Sequence, residues 1–487
     1  MNLIEKLNHV SSNTDTLTSF LKENIQTVYD FFLSQSYLEL KEYEEKIDNY
    51  IFSNYKIVKK IDLDINENFT FVTILLDVCE RFGFLAYFKR LYKLLDSSNS
   101  NISQKLQATA LFSISIKKFS DYENVFEVIL NKLQDAFQSE EDSVDRVLST
   151  FINYYAQVVY NYGQFNNKGV ISFKNRIEES KSAYFFLANT LIDEILLIDI
   201  TNFRSAYTEI HLKLDLYLKR TKVEFDFSED KYLIESSTEY CNILETVRAD
   251  FNSIRNISVN EYRSIQDDNI FYSLGRGVEI LKEESQLFAY MKSYGNMHYA
   301  KLIEAFNLLP EPFFNSEVEI FDWGCGQAMA SLSYLDYLKQ NNYNQIINLV
   351  TLNEPSEIAI KRGALHLTKF DEQIGIFTIN KDLDSLNIED FNVNNNIKLH
   401  MFSNILDIDL FSMNKLTSLI KSTFKGVNYF VIVSPYITEI KKNRIDSFIK
   451  EFSTNDNFEH MQSLNKQKGE WKNNWTIVMR IFKTEIL

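Results

Sequence analysis

The sequence predicts an all-α region followed by an α/β domain with a mostly parallel sheet, and three observations predict it. All four prolines (Pro310, Pro312, Pro355, Pro435) lie in the last 180 residues, and only Gly83, Gly163 and Gly169 precede residue 270. A long stretch almost free of both residues favours helices joined by short polar turns. Within it, apolar residues recur at helical spacing. Beyond about residue 270, short apolar runs alternate with amphipathic segments, the pattern of a parallel sheet with helices on both faces.

In the first region, Phe126, Ile129, Leu130, Leu133 and Phe137 share one helical face, as do Val144, Leu148, Phe151, Tyr155 and Val158. An acidic start at 139–145 (SEEDSVD) suits the N-terminus of the second helix. Polar breaks at 96–103, 138–142 and 161–169 separate the stripes and predict antiparallel helical hairpins, repeat-like in spacing but without a repeat signature. The helical domain is therefore expected over 1–268, with a possible subdivision near 161–170. The α/β domain is expected over 269–487, opening with a helical lid at 269–309 that reads as two helices around Gly295. Strands are expected at VEIFDW, IINLVTLN, IGIFTIN, IKLHMFSNIL and NYFVIVSP, with helical segments between them, SLNIEDF included. FEHMQSL and WTIVMRIFK follow without an intervening helix and predict an antiparallel hairpin at one edge.

Composition narrows the function classes. Against 51 Lys+Arg stand 67 Asp+Glu, a formal net charge of −16, which opposes unspecific binding of polyphosphates although a local basic groove remains compatible. Cys79, Cys241 and Cys325 are scattered, and neither they nor the six histidines show metal-ligand spacing, so disulfides and structural metal are not expected. The first residues lack a signal-peptide core. The most apolar stretch, SAYFFLANTLIDEILLIDI, is broken by Asp193 and Glu194 and reads as a buried helix, so no membrane span and a cytoplasmic location are expected.

The chemistry concentrates at the turn after the first predicted strand, D322-W-G-C-G-Q327. Gly324 and Gly326 permit tight backbone conformations and close approach of a ligand where a helix begins. Asp322 either accepts from a cationic amino group or orients the loop. The second strand ends at Asn353-Glu354, where a carboxylate is placed to accept both hydroxyls of a ribose. A dinucleotide fingerprint would need a third glycine, but Met329 stands there.

This order of elements resembles the class I, Rossmann-like S-adenosylmethionine-dependent methyltransferases. It is most similar to a bacterial group that carries a DWGCGQ turn, an EPS turn (Glu354–Ser356), a SNILD segment (Ser403–Asp407) and an upstream YGxMHxAK segment (Tyr294–Lys301). The resemblance covers about residues 270–487 and implies a seven-stranded methyltransferase domain with a C-terminal antiparallel hairpin. It implies S-adenosylmethionine as cofactor, with Asp322, Gly324, Cys325, Gly326 and Gln327 around its methionine part and Glu354 and Ser356 at the ribose. Asp382 and Leu383 would border the adenine, Asn404 would face the reacting methyl, and Ser403 is a further cofactor-binding candidate. The group often has glycine at position 328, where this chain has Ala328.

Tyr294, His298 and Asn404 are the candidate catalytic residues. His298 is either a general base near neutral pH under a lid or a polar residue capping a helix contact. Cys325 reads as a small side chain filling a tight turn rather than a nucleophile. Asp407 reads as the cap of the next helix, DLFSMNKL, and the basic run 441–444 (KKNR) as a solvated helix face or a phosphate contact. The expected function is methyl transfer to a macromolecular acceptor, protein or RNA, selected by the helical domain. The alternative is a cofactor-binding scaffold or sensor, for instance in a bacterial defence-type assembly.

Overall fold

The computed structural model describes residues 2–487 apart from 36, 98–101, 115, 139–143, 219–226, 266, 268–269, 272, 275–276, 395–396, 409–410 and 455–456. The chain divides into two compact units. One comprises Met1–Glu224 with Ile437–Asn443, the other Phe225–Tyr436 with Arg444–Leu487, so the expected boundary at 268/269 falls inside the second. Among the described residues no helix is long and apolar enough to cross a membrane.

The first unit is all-helical, from Leu3–Val10 to Phe203–Leu218. It holds two apolar cores, one built from residues 4–110 and one from residues 108–214. The helix Gln104–Ile114 serves both, with Ala108 and Phe112 in the later core and Leu106 and Ala110 in the earlier. The stripes read from the sequence fall on Phe119–Gln138 and Val144–Tyr162. The acidic start at 139–143 lies outside the described residues. Val144–Tyr162 is buried on nearly every side from Val147 to Val159, the mark of a helix running through a core. Beside it Lys105 donates to Asp77 (2.7 Å) and Glu80 (3.0 Å), and the Thr150 hydroxyl donates to Glu80 (2.7 Å).

The second unit is a seven-stranded Rossmann-like sheet. Its strands are β1 (Val318–Trp323), β2 (Ile347–Asn353), β3 (Ile376–Ile379), β4 (Ile397–Ser403), β5 (Gly426–Ser434), β6 (Glu459–Lys466) and β7 (Ile477–Ile486), in the order β3-β2-β1-β4-β5-β7-β6. β1 to β5 are parallel. β7 inserts antiparallel between β5 and β6, so the expected C-terminal pair is present with β6 as the edge. Successive side chains point to opposite faces of the sheet, and the near-continuous apolar runs of the central strands bury both. One face packs on Leu302, Phe306, Tyr334 and Leu367, the other on Leu416, Ile420, Phe448 and Phe452.

Four local expectations are corrected. A single helix, Glu284–Phe306, runs through Gly295. A Cβ at Gly295 would lie 3.1 Å from Arg255 Cδ, so this glycine makes room for a neighbouring side chain inside a helix that packing sustains. SLNIEDF forms only a 3-10 turn, Ile388–Asp390, because three residues of apolar spacing cannot repay helix nucleation. The helix after β4 starts at Met413 with Ser412 as its cap, so Asp407 does not cap it. The run 441–444 is not a solvated face: Lys441, Asn443 and Arg444 are buried, and Arg444 donates to the Phe411 carbonyl (2.8 Å).

Candidate functional site

β1 lies between β2 and β4, where the strand order reverses, so its carboxyl end is the switch point at which doubly wound sheets bind ligands. The turn that follows alternates left-handed residues: Gly324 (φ +58°), Gly326 (φ +52°) and Ala328 (φ +57°). A Cβ on Gly324 would sit 2.3 Å from Ile405 Cδ1, whereas nothing lies within 4 Å of where a Cβ on Gly326 would be. The first glycine is favoured by its left-handed φ and by the Ile405 side chain packed against it. The second keeps a space open above the turn.

That space is bounded by Glu354. One of its carboxylate oxygens accepts from the Gly326 N–H (2.9 Å), the other from the Ser356 N–H (3.0 Å). Ser356 in turn caps the helix Glu357–Phe370, its hydroxyl accepting from Ala359 N–H and donating to the Leu281 carbonyl (2.6 Å). Cys325 N–H donates to the Asn353 carbonyl (2.9 Å), which ties the turn to the end of β2. The thiol of Cys325 is buried, and burial pushes it well above the usual thiol range, so it is no nucleophile at neutral pH.

Asp322 is enclosed beneath the turn. Its Oδ2 accepts from both the N–H (3.0 Å) and the hydroxyl (2.7 Å) of Ser331. The helix Met329–Gln340 has Ala328 at its N-cap, which offers no side-chain acceptor, and Asp322 supplies one from β1. Burial pushes the Asp322 carboxyl up to about 6. Burial likewise raises Glu354 to about 7, opposed by its two backbone hydrogen bonds and helped by the charge of Asp322. Among the described residues neither carboxylate forms an ion pair. Gln327 points its amide N–H to the Leu287 carbonyl (2.9 Å), and its buried Oε1 has no partner among the described residues.

A second group forms at the end of β4. Buried His298 places Nδ1 3.0 Å from the Ser403 hydroxyl and Nε2 2.6 Å from Asn404 Nδ2. Asn404 adopts φ +60°, and its buried Oδ1 has no partner among the described residues. Burial lowers His298 to about 3, with Lys301 adding in the same direction, so the ring is neutral at physiological pH. In this arrangement Nδ1–H donates to Ser403 and Nε2 accepts from Asn404. Tyr294 lies one turn away on the same helix and packs on Tyr290 and Phe271. Asp382 and Leu383 follow β3; Asp382 accepts from Ser385 N–H (2.8 Å) and Leu383 packs on the opposite face of the sheet. Asp322 to Gln327 are therefore brought together with Glu354 and Ser356, and His298 with Ser403 and Asn404. Asp382 hydrogen-bonds Ser385 among the described residues, and Leu383 packs in the cluster that holds Trp323 of the turn.

Three residues that hold the site were missed from the sequence. Buried Asn380, just past β3, donates to the carbonyls of Glu354 (3.0 Å) and Pro355 (2.9 Å) and accepts from Ser228 N–H (2.9 Å). Tyr240 bonds His366 Nε2 (2.7 Å), whose Nδ1 faces the Gln327 carbonyl (3.3 Å). An asparagine closing a strand was a usable signal for the first. The Tyr240 to His366 link joins residues 126 positions apart and had none.

No protein-family model matches the chain, and no characterised protein sequence matches it. Among solved structures, it is similar to a Pyrococcus horikoshii protein provisionally assigned as an RNA methyltransferase (14% identity, 46% of this chain and 100% of that one, TM-score 0.28). It is similar also to an S-adenosylmethionine-dependent methyltransferase from Clostridium acetobutylicum (12%, 38% and 92%, TM-score 0.26). A third likeness is to the N-methyltransferase NodS from Bradyrhizobium japonicum (8%, 39% and 97%, TM-score 0.27). Overlaps this loose add nothing to what the strand order and the turn already establish.

Proposed function

We propose that this protein is an S-adenosylmethionine-dependent methyltransferase of the class I type that modifies a macromolecular acceptor. The observation that carries the reading is the Glu354 carboxylate, held by the Gly326 and Ser356 N–H groups beside the open space at Gly326 at the carboxyl end of β1. A ligand with ribose hydroxyls to donate and a positive charge suits that carboxylate. The cofactor, when bound, supplies a methyl activated on a cationic sulfur. Glu354 holds the ribose, the backbone at Gly324 to Gln327 cradles the methionine part, and Asp322 keeps the turn and its helix in place.

His298 contributes as a neutral bracket. Its Nε2 lone pair is already engaged by Asn404, and a ring that protonates only near pH 3 is a poor base. Asn404, fixed in the left-handed region by that bond, presents an amide carbonyl able to accept from an N–H or O–H donor of the acceptor. The large helical unit and the net charge of −16 favour a protein, or protein within a protein–RNA assembly, over bare nucleic acid.

Titration calorimetry with S-adenosylmethionine and its demethylated product, followed by labelled-methyl transfer into cell extract, tests the proposal. Absence of binding to either compound removes it. Binding without transfer into any fraction favours the second reading, a cofactor-sensing scaffold, to which the engaged state of His298 lends support.

A further inference from the structure

The end of the glycine turn rests on the helix Glu357–Phe370, and two residues three apart on that helix meet it. A Cβ on Gly363 would lie 2.9 Å from the Ala328 nitrogen and 3.0 Å from the Gln327 carbonyl carbon, so the glycine lets the backbone of the turn lie against the helix. Fully buried His366 turns Nδ1 to the Gln327 carbonyl (3.3 Å) and Nε2 to the Tyr240 hydroxyl (2.7 Å). Burial, with Arg362 adding to it, lowers His366 to about 3, so the ring is neutral and carries one N–H. A carbonyl only accepts, so that proton sits on Nδ1 and Nε2 accepts from Tyr240. Tyr240 is fixed in turn by the Arg362 guanidinium, 3.5 Å from its ring centroid, which donates to Glu235 and to Glu284.

On the reading that the cofactor lies at this turn, we infer that His366 is a positioning residue for its binding. Its Nδ1–H clasps the Gln327 carbonyl against the helix, and Tyr240 keeps the ring in the tautomer that can do so. The clasp acts on one peptide unit, Gln327–Ala328, whose N–H already donates to the Cys325 carbonyl (2.8 Å). With His366 the unit is held at both ends. It leads into Ala328, whose φ of +57° is strained for a residue with a Cβ. Rotation of the peptide about its own axis changes that φ and releases the strain, so the geometry needs an opposing hold. The same rotation carries the carbonyl to the side now occupied by the N–H, and the turn loses the shape in which its backbone N–H groups face a ligand. A role in packing alone would make the volume of residue 366 the deciding property. A positioning role makes the place of its N–H decisive.

Two amide variants of the full chain separate these roles. Asparagine carries its amide nitrogen where histidine has Nδ1, whereas glutamine carries it at the level of Nε2 and is the closer match in volume. His366→Asn is expected to keep the calorimetric Kd for the demethylated product within about threefold of wild type, and His366→Gln to raise it about tenfold. Tyr240→Phe removes one hydroxyl and is expected to raise Kd about threefold, which keeps the inference testable where a His366 variant misfolds. Hydrogen–deuterium exchange of the cofactor-free protein, read on peptides covering 324–331, is expected to follow the same order, fastest in His366→Gln. An equal or reversed order of the two amide variants overturns the inference, as does exchange in Tyr240→Phe identical to that of wild type. Absence of product binding to the wild-type protein refutes the cofactor reading instead, and exchange then decides by itself whether His366 holds the turn.

Discussion

Glu354 concentrates the residue-scale chemistry. Replacement by alanine removes the acceptor for ribose hydroxyls and is expected to weaken binding of the demethylated product by about 2 kcal/mol, roughly thirtyfold. Unchanged affinity in calorimetry would place the ribose elsewhere. The same carboxyl predicts a pH dependence. Because Asp322 and Glu354 hold protons more tightly when folded, at about 6 and about 7, their contribution to the stability of the free protein is full below about pH 4. It is lost as pH rises through those values. Bound hydroxyl donors and positive charge favour the ionised forms, so cofactor affinity should strengthen from pH 6 to pH 8 with net release of protons below pH 7. Calorimetry in buffers of different ionisation enthalpy counts those protons, and a flat profile would contradict the assignment. His298, neutral throughout this range, adds no inflection.

Elements decide what those residues can do. The helix Met329–Gln340 begins on Ala328 in the left-handed region, a conformation that costs a residue with a Cβ about 1 kcal/mol. Ala328→Gly is expected to raise the unfolding free energy by no more than about 0.6 kcal/mol, read from the denaturant midpoint, since the added freedom of the unfolded chain offsets most of the relieved strain. The position after β3 works in the opposite sense. Asn380→Ala strips two donors from the carbonyls of Glu354 and Pro355 and the acceptor from Ser228, all in a buried setting. A loss of about 2–3 kcal/mol of stability is expected, together with weaker cofactor binding, because the loop that aims Glu354 is loosened. Retained affinity in a destabilised variant would make Asn380 a folding residue alone. The succession of strands and the antiparallel pair at the C-terminus were legible because short apolar runs survive in any context, whereas the strand order and the insertion of β7 between β5 and β6 were not. The continuous helix Glu284–Phe306 was not, because glycine's low propensity is overridden by Arg255 filling the space beside Gly295.

At the scale of the whole molecule, the two units carry distinct vulnerabilities. In the helical unit, Lys105 is fully buried between Asp77 and Glu80. Lys105→Met leaves two carboxylates in an apolar interior and is expected to cost about 3–5 kcal/mol, read by thermal or denaturant unfolding. Asp77 is held well below the usual carboxylate range by Lys105, Arg146 and Arg81 against the cost of its burial. Its contribution to stability is therefore present above about pH 4 and lost as pH falls further. The residues proposed to hold the cofactor all belong to the second unit, so the affinity of folded Lys105→Met protein is expected to equal that of the wild type.

The sequence by itself determined the fold class, the glycine turn, the carboxylate that ends β2 and the absence of a third glycine at Met329. All of these are local: backbone permissiveness, strand period and the residue at a strand's end are written in a few adjacent positions. Only the tertiary structure decided that Asp322 caps a helix, that His298 is a neutral partner of Ser403 and Asn404, and that Asn380 and Tyr240 hold the turn from elsewhere in the chain. It also decided that Gly363 and His366 meet the end of that turn from one helix. Charge state, burial and pairing depend on which distant side chains exclude water from a group, and no window of sequence contains those neighbours.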